Sequence, residues 1–169
     1  MKRSDLHCIV RRADRAAEPT VCAAKPGRAI QVCLKRSKRG RLQEESVSDS
    51  KAACRALKFL ANKDRESFVA LHLGPQQQIY GVEEIAVGSV TSVAVNPREV
   101  FKGAVLSNAS SVIVGHNHPS GDAAPSPEDL ELTKRLVAAG KIIGIPVADH
   151  IVVGANDCVS IRDRNPEEF

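Results

Sequence analysis

The sequence predicts one α/β domain, a mixed β-sheet flanked by helices, and three observations carry that prediction. From about residue 28 onward, apolar runs of strand length are interleaved with helical patterns. Two of those helical patterns open on Pro at the first helical position directly after a capping residue, at Asn96-Pro97 and Ser126-Pro127. The chain has 169 residues and is 43% hydrophobic, which suffices for one packed domain and leaves two cramped.

The elements follow in order. Residues 1–26 mix charges with Ala, Pro and Thr without a sustained period and read as a mobile arm. Ala29-Ile30-Gln31-Val32-Cys33-Leu34 has the pattern of a strand, and a basic turn from Lys35 to Gly40 follows it. Ser48 or Asp49 caps a helix whose apolar positions Ala53, Leu57, Leu60 and Ala61 share one face. Ser67 to Leu73 is a strand, and Gly74-Pro75-Gln76-Gln77-Gln78 turns it back into Ile79 to Val82 as a hairpin. Further strand patterns cover Ile85-Ala86-Val87 and Val90 to Val95.

Asn96-Pro97-Arg98-Glu99 has a cap, an N1 proline and a Glu three after the cap, and starts a helix running to about Asn108. Ser111-Val112-Ile113-Val114-Gly115 is a short buried strand that leads into His116-Asn117-His118-Pro119. After a loop rich in Gly, Ala and Pro, Ser126 opens a helix with Leu130, Thr133, Leu136 and Val137 inward and Gly140 as its stop. Two more strand-like runs, Pro146-Val147-Ala148 and Ile151-Val152-Val153, precede the tail.

Composition narrows the function. Aromatic residues make up 3%, with no Trp and one Tyr, which argues against an aromatic platform for single-stranded nucleic acid. The formal charge of +4 is uneven. Residues 1–45 hold 12 Lys/Arg against 5 Asp/Glu, and residues 46–169 hold 12 against 15. The basic segment is either a solvated tail or a contact for nucleic acid. Five widely spaced cysteines include no C-x-x-C pair, which argues against a zinc ribbon or redox pair. No stretch is apolar enough to span a membrane, and no signal core is present. The expected setting is a reducing cytoplasm, with the cysteines mostly small core or surface residues.

The chemistry concentrates at His116, His118 and Asp129. Residues i and i+2 of an extended chain point to one side with Cα atoms about 6.5 Å apart, so two imidazoles can converge on one ion. Asp129 lies in the first turn of the next helix, where the N-terminal field keeps a carboxylate ionised. Two His and one carboxylate leave a fourth position open, the arrangement of a catalytic zinc site; the same set also suits iron. The plain alternative is a surface His-x-His and a helix-start charge. Hydrolysis at such a site needs a general base, and Glu66, Glu83, Glu84 and Glu99 all stand upstream.

His116-x-His118-Pro119, six residues, Ser126, two residues, Asp129 matches the motif of the JAMM (MPN+) metalloproteases. The longer string Val114-Gly115-His116-Asn117-His118-Pro119-Ser120-Gly121 with Pro125-Ser126-x-x-Asp129 resembles the RadC branch of that family. Pro97-Arg98-Glu99-Val100-Phe101 and Gly144-Ile145-Pro146-x-x-Asp149-His150 resemble it too. The resemblance implies a cytidine-deaminase-like JAB/MPN domain over residues 27–165, with 1–26 as a basic arm. It implies one zinc per chain on His116, His118 and Asp129, Glu66 as the base, and Ser126 as a donor to the oxyanion or the water. It implies hydrolysis of a peptide or isopeptide bond in a peptide or protein substrate.

The alternative is a nucleic-acid-associated DNA-repair protein of RadC type, non-enzymatic or nuclease-like. Full-length relatives typically carry an N-terminal helix-hairpin-helix module, for which this chain has no room. A zinc deaminase would share the fold but requires H-x-E and P-C-x-x-C signatures that the sequence lacks.

Overall fold

The computed structural model describes residues 46–88 and 95–169. The arm over 1–26, the strand over 29–34, the basic turn after it and nearly all of the 90–95 strand lie outside the described residues. So does the split between residues 1–26 and 27–165.

Five strands form one mixed sheet in the order β2-β1-β3-β4-β5. β1 (Ser67–Leu73) pairs antiparallel with β2 (Ile79–Val87) on one side and with β3 (Ser111–Asn117) on the other. β4 (Val147–Val153) runs parallel to β3, and β5 (Cys158–Ser160) closes the edge antiparallel to β4. The parallel step between β3 and β4 requires a crossover, and α3 (Pro127–Ile143) supplies it. β1 and β3 are buried along their whole length, the expected state of a central strand covered on both faces.

Two apolar clusters lie on opposite faces of the sheet. One joins Phe68, Ala70, Val112, Val114 and Val147 to Val100, Phe101 and Ala104 of α2 (Pro97–Leu106) and to Leu136 and Val137 of α3. The other joins Val69, Leu71, Leu73, Ile113, Ile151 and Val153 to Ala52, Ala53, Ala56 and Leu57 of α1 (Ser50–Leu57) and to Leu60 beyond it. The period-2 alternation of β1 and β3 thus feeds both cores, giving three layers. Gly115 is the point of closest approach to α1, since a Cβ there would stand 2.5 Å from Leu57 Cδ1.

Several boundaries differ from the sequence reading. Asp49, rather than Ser48, caps α1, its side chain accepting from Ala52 N at 2.7 Å. The runs 79–82 and 85–87 are one strand, because Glu83 and Glu84 continue the ladder against Ala70 and Val69. Asn96 caps α2 by accepting from Arg98 N, but Glu99 pairs with Lys102 instead of closing a capping box. Gly140 sits inside α3, where a Cβ would meet the Ile145 carbonyl oxygen at 2.7 Å. The helix stops at Gly144, whose φ of 82° is left-handed. Cys54 of α1 and Cys158 of β5, with Cα atoms 6.1 Å apart, are joined by a disulfide, which departs from the expectation of separate thiols.

The runs at 146–148 and 151–153 belong to one strand, β4, with an irregularity that matters for function. Val112 pairs with Val147, yet Ile113 pairs with Asp149. The extra residue switches the alternation, so Val147 and His150 share the face that carries α3. Without it, His150 would point toward α1.

Candidate metal centre

β3 delivers His116 onto the face covered by α3, fully buried, with Phe68 of β1 stacked at 6.0 Å between ring centres. His118 follows one residue beyond the strand, its backbone N–H held by the Val153 carbonyl at 3.1 Å. Asp129 arrives from the first turn of α3, whose start is set by a reciprocal capping box. Ser126 Oγ accepts from Asp129 N at 3.1 Å, and Asp129 Oδ2 accepts from Ser126 N at 2.7 Å. The capping box therefore does more than start a helix: it fixes the Asp129 carboxylate in one orientation.

The three groups converge. One donor atom from each of His116, His118 and Asp129 lies within 4.8 Å of the others. His116 Nε2 is 3.1 Å from His118 Nε2 and 3.1 Å from Asp129 Oδ1, and His118 Nε2 is 3.4 Å from Asp129 Oδ2. Ligands at about 2.0–2.1 Å around a tetrahedral ion stand roughly 3.3–3.4 Å apart, so the separations suit one small cation.

The hydrogen bonds outside this triangle fix the tautomers. Thr133 Oγ1 donates its single proton to the Asp129 carbonyl at 2.6 Å. His150 Nδ1, 2.7 Å from Thr133 Oγ1, must then be the donor, which leaves His150 Nε2 as an acceptor. His116 Nδ1, 2.9 Å from His150 Nε2, donates to it. His116 Nε2 thereby turns a lone pair toward Asp129. His118 Nδ1 similarly donates to the Asp122 carbonyl at 2.8 Å, leaving its Nε2 as a lone pair. Two imidazole lone pairs and a carboxylate facing one another are three acceptors without a proton, a donor set that fits a cation.

Burial alone would raise the Asp129 carboxyl; hydrogen bonds from Ser126 oppose it, and a positive charge at His116 Nε2, whether a proton or a cation in its place, holds the carboxyl far below the carboxylate range. Burial drives His150 well below the usual imidazole value, so it is the neutral residue the relay requires.

The candidate bases separate cleanly. Glu84 is bound to Lys63, Glu99 pairs with Arg98 and Lys102 on the surface, and Glu83 faces His72 beneath α2. Glu66 is different. It immediately precedes β1, at the end of the sheet where the antiparallel β3 delivers His116. Ser126 Oγ also lies 2.7 Å from Asp129 Oδ2 and donates to it, so its hydroxyl proton serves the carboxylate.

The sequence singled out His116, His118, Asp129, Ser126 and Glu66; the structure brings the first four into contact, and Glu66 stands just before β1 at the same end of the sheet. The structure also brings in Thr133, which the sequence marks only as an inward helix position, and His150, which it marks only within the Gly144-to-His150 string. Asp149, next to His150, accepts from Ser160 Oγ and Arg162 N and ties down the C-terminal turn. Among the described residues, no helix is long and apolar enough to cross a membrane.

Comparison with known proteins places these features in a wider set. The profile of the RadC-like JAB domain matches residues 47–166. A UPF0758 protein of Desulforudis audaxviator is 50% identical over 99 residues, covering 59% of this chain and 43% of its own length. One from Desulforamulus reducens is 50% identical over 105 residues, covering 62% and 46%. One from Bacillus cereus strain AH187 is 51% identical over 100 residues, covering 59% and 44%. The chain spans less than half the length of these curated relatives.

Proposed function

Because this chain belongs to the RadC-like JAB domain family, we propose that it is a zinc-dependent hydrolase acting on a peptide or isopeptide bond. The observation that carries the reading is the directed hydrogen bonding around His116, His118 and Asp129, which presents three deprotonated donors to one point. His116 Nε2, His118 Nε2 and an Asp129 oxygen would hold the ion, with open coordination left for water and substrate. A bound zinc supplies Lewis acidity at the scissile carbonyl and lowers the pKa of a coordinated water from about 15.7 to near 7.

The chain's own residues do the rest. Glu66, which immediately precedes β1 at the end of the sheet that carries His116, accepts the proton from the attacking water on a carboxylate oxygen and returns it to the leaving amine. Such a proton carrier contributes about 10²–10⁴-fold. Ser126 holds the Asp129 carboxylate, and its hydroxyl can serve an oxyanion by turning from Oδ2. Phe68 and the sheet exclude water from the inner side of His116.

The test is cleavage of a mixed peptide and isopeptide library by zinc-loaded protein and by its Glu66→Gln variant. The reading predicts cleavage by the parent and a loss of about 10²-fold or more in the variant. Equal rates would remove Glu66 as the base, and no cleavage of either bond class would remove the hydrolase reading.

A further inference from the structure

Asn117 stands between the two histidines, yet strand alternation turns its side chain to the opposite face of β3, toward the chain that follows α1. It is 2% exposed. Its Oδ1 accepts from Ser67 N at 2.9 Å, and its Nδ2 donates to the carbonyls of Arg65 at 3.1 Å and Lys63 at 3.4 Å. Only one orientation of the carboxamide satisfies an N–H and two carbonyls, so each atom's role is set.

These bonds bracket Glu66. The Arg65 carbonyl lies in the peptide unit before it and the Ser67 N–H in the peptide unit after it. Residues 63–66 belong to no helix or strand. Besides the bonds to Asn117, this stretch is held by Lys63 N donating to the Leu60 carbonyl and Gly88 N donating to the Glu66 carbonyl. One buried side chain thus fastens the segment that carries Glu66 to the strand that carries His116 and His118. We infer that Asn117 is a positioning residue: it sets where the Glu66 carboxylate stands relative to the paired histidines. The inference rests on the reading of Glu66 as the base.

The experiment uses Co²⁺-substituted protein and follows the pH midpoint of the visible absorption change, with zinc content and thermal melting as controls. Glu66→Gln should move the midpoint. Asn117→Ala should move it in the same direction and by a similar amount, and the double variant should move it no further than Glu66→Gln alone. Asn117→Asp, isosteric and still an acceptor for Ser67 N, loses both donated bonds and should show the same shift if the alanine variant fails to fold. In peptide cleavage either variant should lose about 10²-fold, the scale of an ångström-sized misplacement. A parental midpoint in the Asn117 variants, or a shift that adds to that of Glu66→Gln, overturns the inference. A parental midpoint in Glu66→Gln sinks the assignment of the base, and this inference with it.

Discussion

His116 Nδ1 lies 2.9 Å from His150 Nε2, and the direction of that bond decides which nitrogen of His116 faces Asp129. The direction is inherited from Thr133, whose proton goes to the Asp129 carbonyl. A hydroxyl on α3 and an imidazole on β4 therefore prepare a ligand on β3, and the same turn of α3 supplies the carboxylate opposite it.

Replacing His150 with Phe removes the acceptor while keeping a ring of similar size. Zinc affinity should fall about 10–100-fold, the usual cost of losing the partner that orients a metal-binding histidine. Competition with a chromophoric chelator measures it; unchanged affinity would mean that the relay does not control His116.

Ser126→Ala removes both a helix cap and a hydrogen bond to Asp129. Stability should fall by about 1 kcal/mol from the cap alone, read from denaturant unfolding of the metal-free protein. Zinc affinity should also drop, because the carboxylate loses its fixed orientation. A stability loss with parental zinc affinity would confine Ser126 to capping.

A second polar group sits away from this centre. His72 is buried beneath α2, its Nδ1 3.1 Å from Ser107 Oγ and its Nε2 3.5 Å from Glu83 Oε2. Burial pushes the His72 imidazole down to about 4. Its folded pKa lies below the unfolded value of about 6.5, so the neutral form stabilises the fold. That contribution is complete above pH 6.5 and is lost as pH falls toward 4, to the extent of about 3 kcal/mol. Glu83 is shifted upward, chiefly by burial, and offsets part of the loss by taking up a proton more readily. His72→Gln should flatten the fall in stability between pH 6.5 and 4; an unaltered slope in unfolding experiments would contradict the assignment.

Gly103 of α2 makes room for that pair, since an added Cβ would run into the Glu83 carboxylate and crowd His72. In an open helix Gly→Ala would stabilise by about 1 kcal/mol. Here Gly103→Ala should instead destabilise by about 1–3 kcal/mol, as overpacking does. A raised melting temperature would show that Glu83 simply moves aside.

The sequence was informative where chemistry follows local spacing. His116 and His118 two apart on a strand, and Asp129 in a helix's first turn, are consequences of backbone period, and both were legible. What escaped depends on tertiary contact. His150 reaches His116 only through the bulge between Val147 and Asp149, which breaks the alternation that any reading by period assumes. Thr133 looks like any inward helix position until His150 is placed beside it. Gly140 imitated a helix stop because its reason, close packing on the Ile145 carbonyl, lies outside the helix. β5 spans three residues, too short for a pattern. The Cys54–Cys158 pair is 104 residues apart and carries no spacing signal.

The most direct test of the central claim is elemental analysis of protein loaded with zinc and then dialysed. The parent should retain about one zinc per chain, and the His116→Ala, His118→Ala double variant should retain almost none while still folding. A parent that holds no zinc, or a double variant that holds as much as the parent, would contradict the metal centre described above.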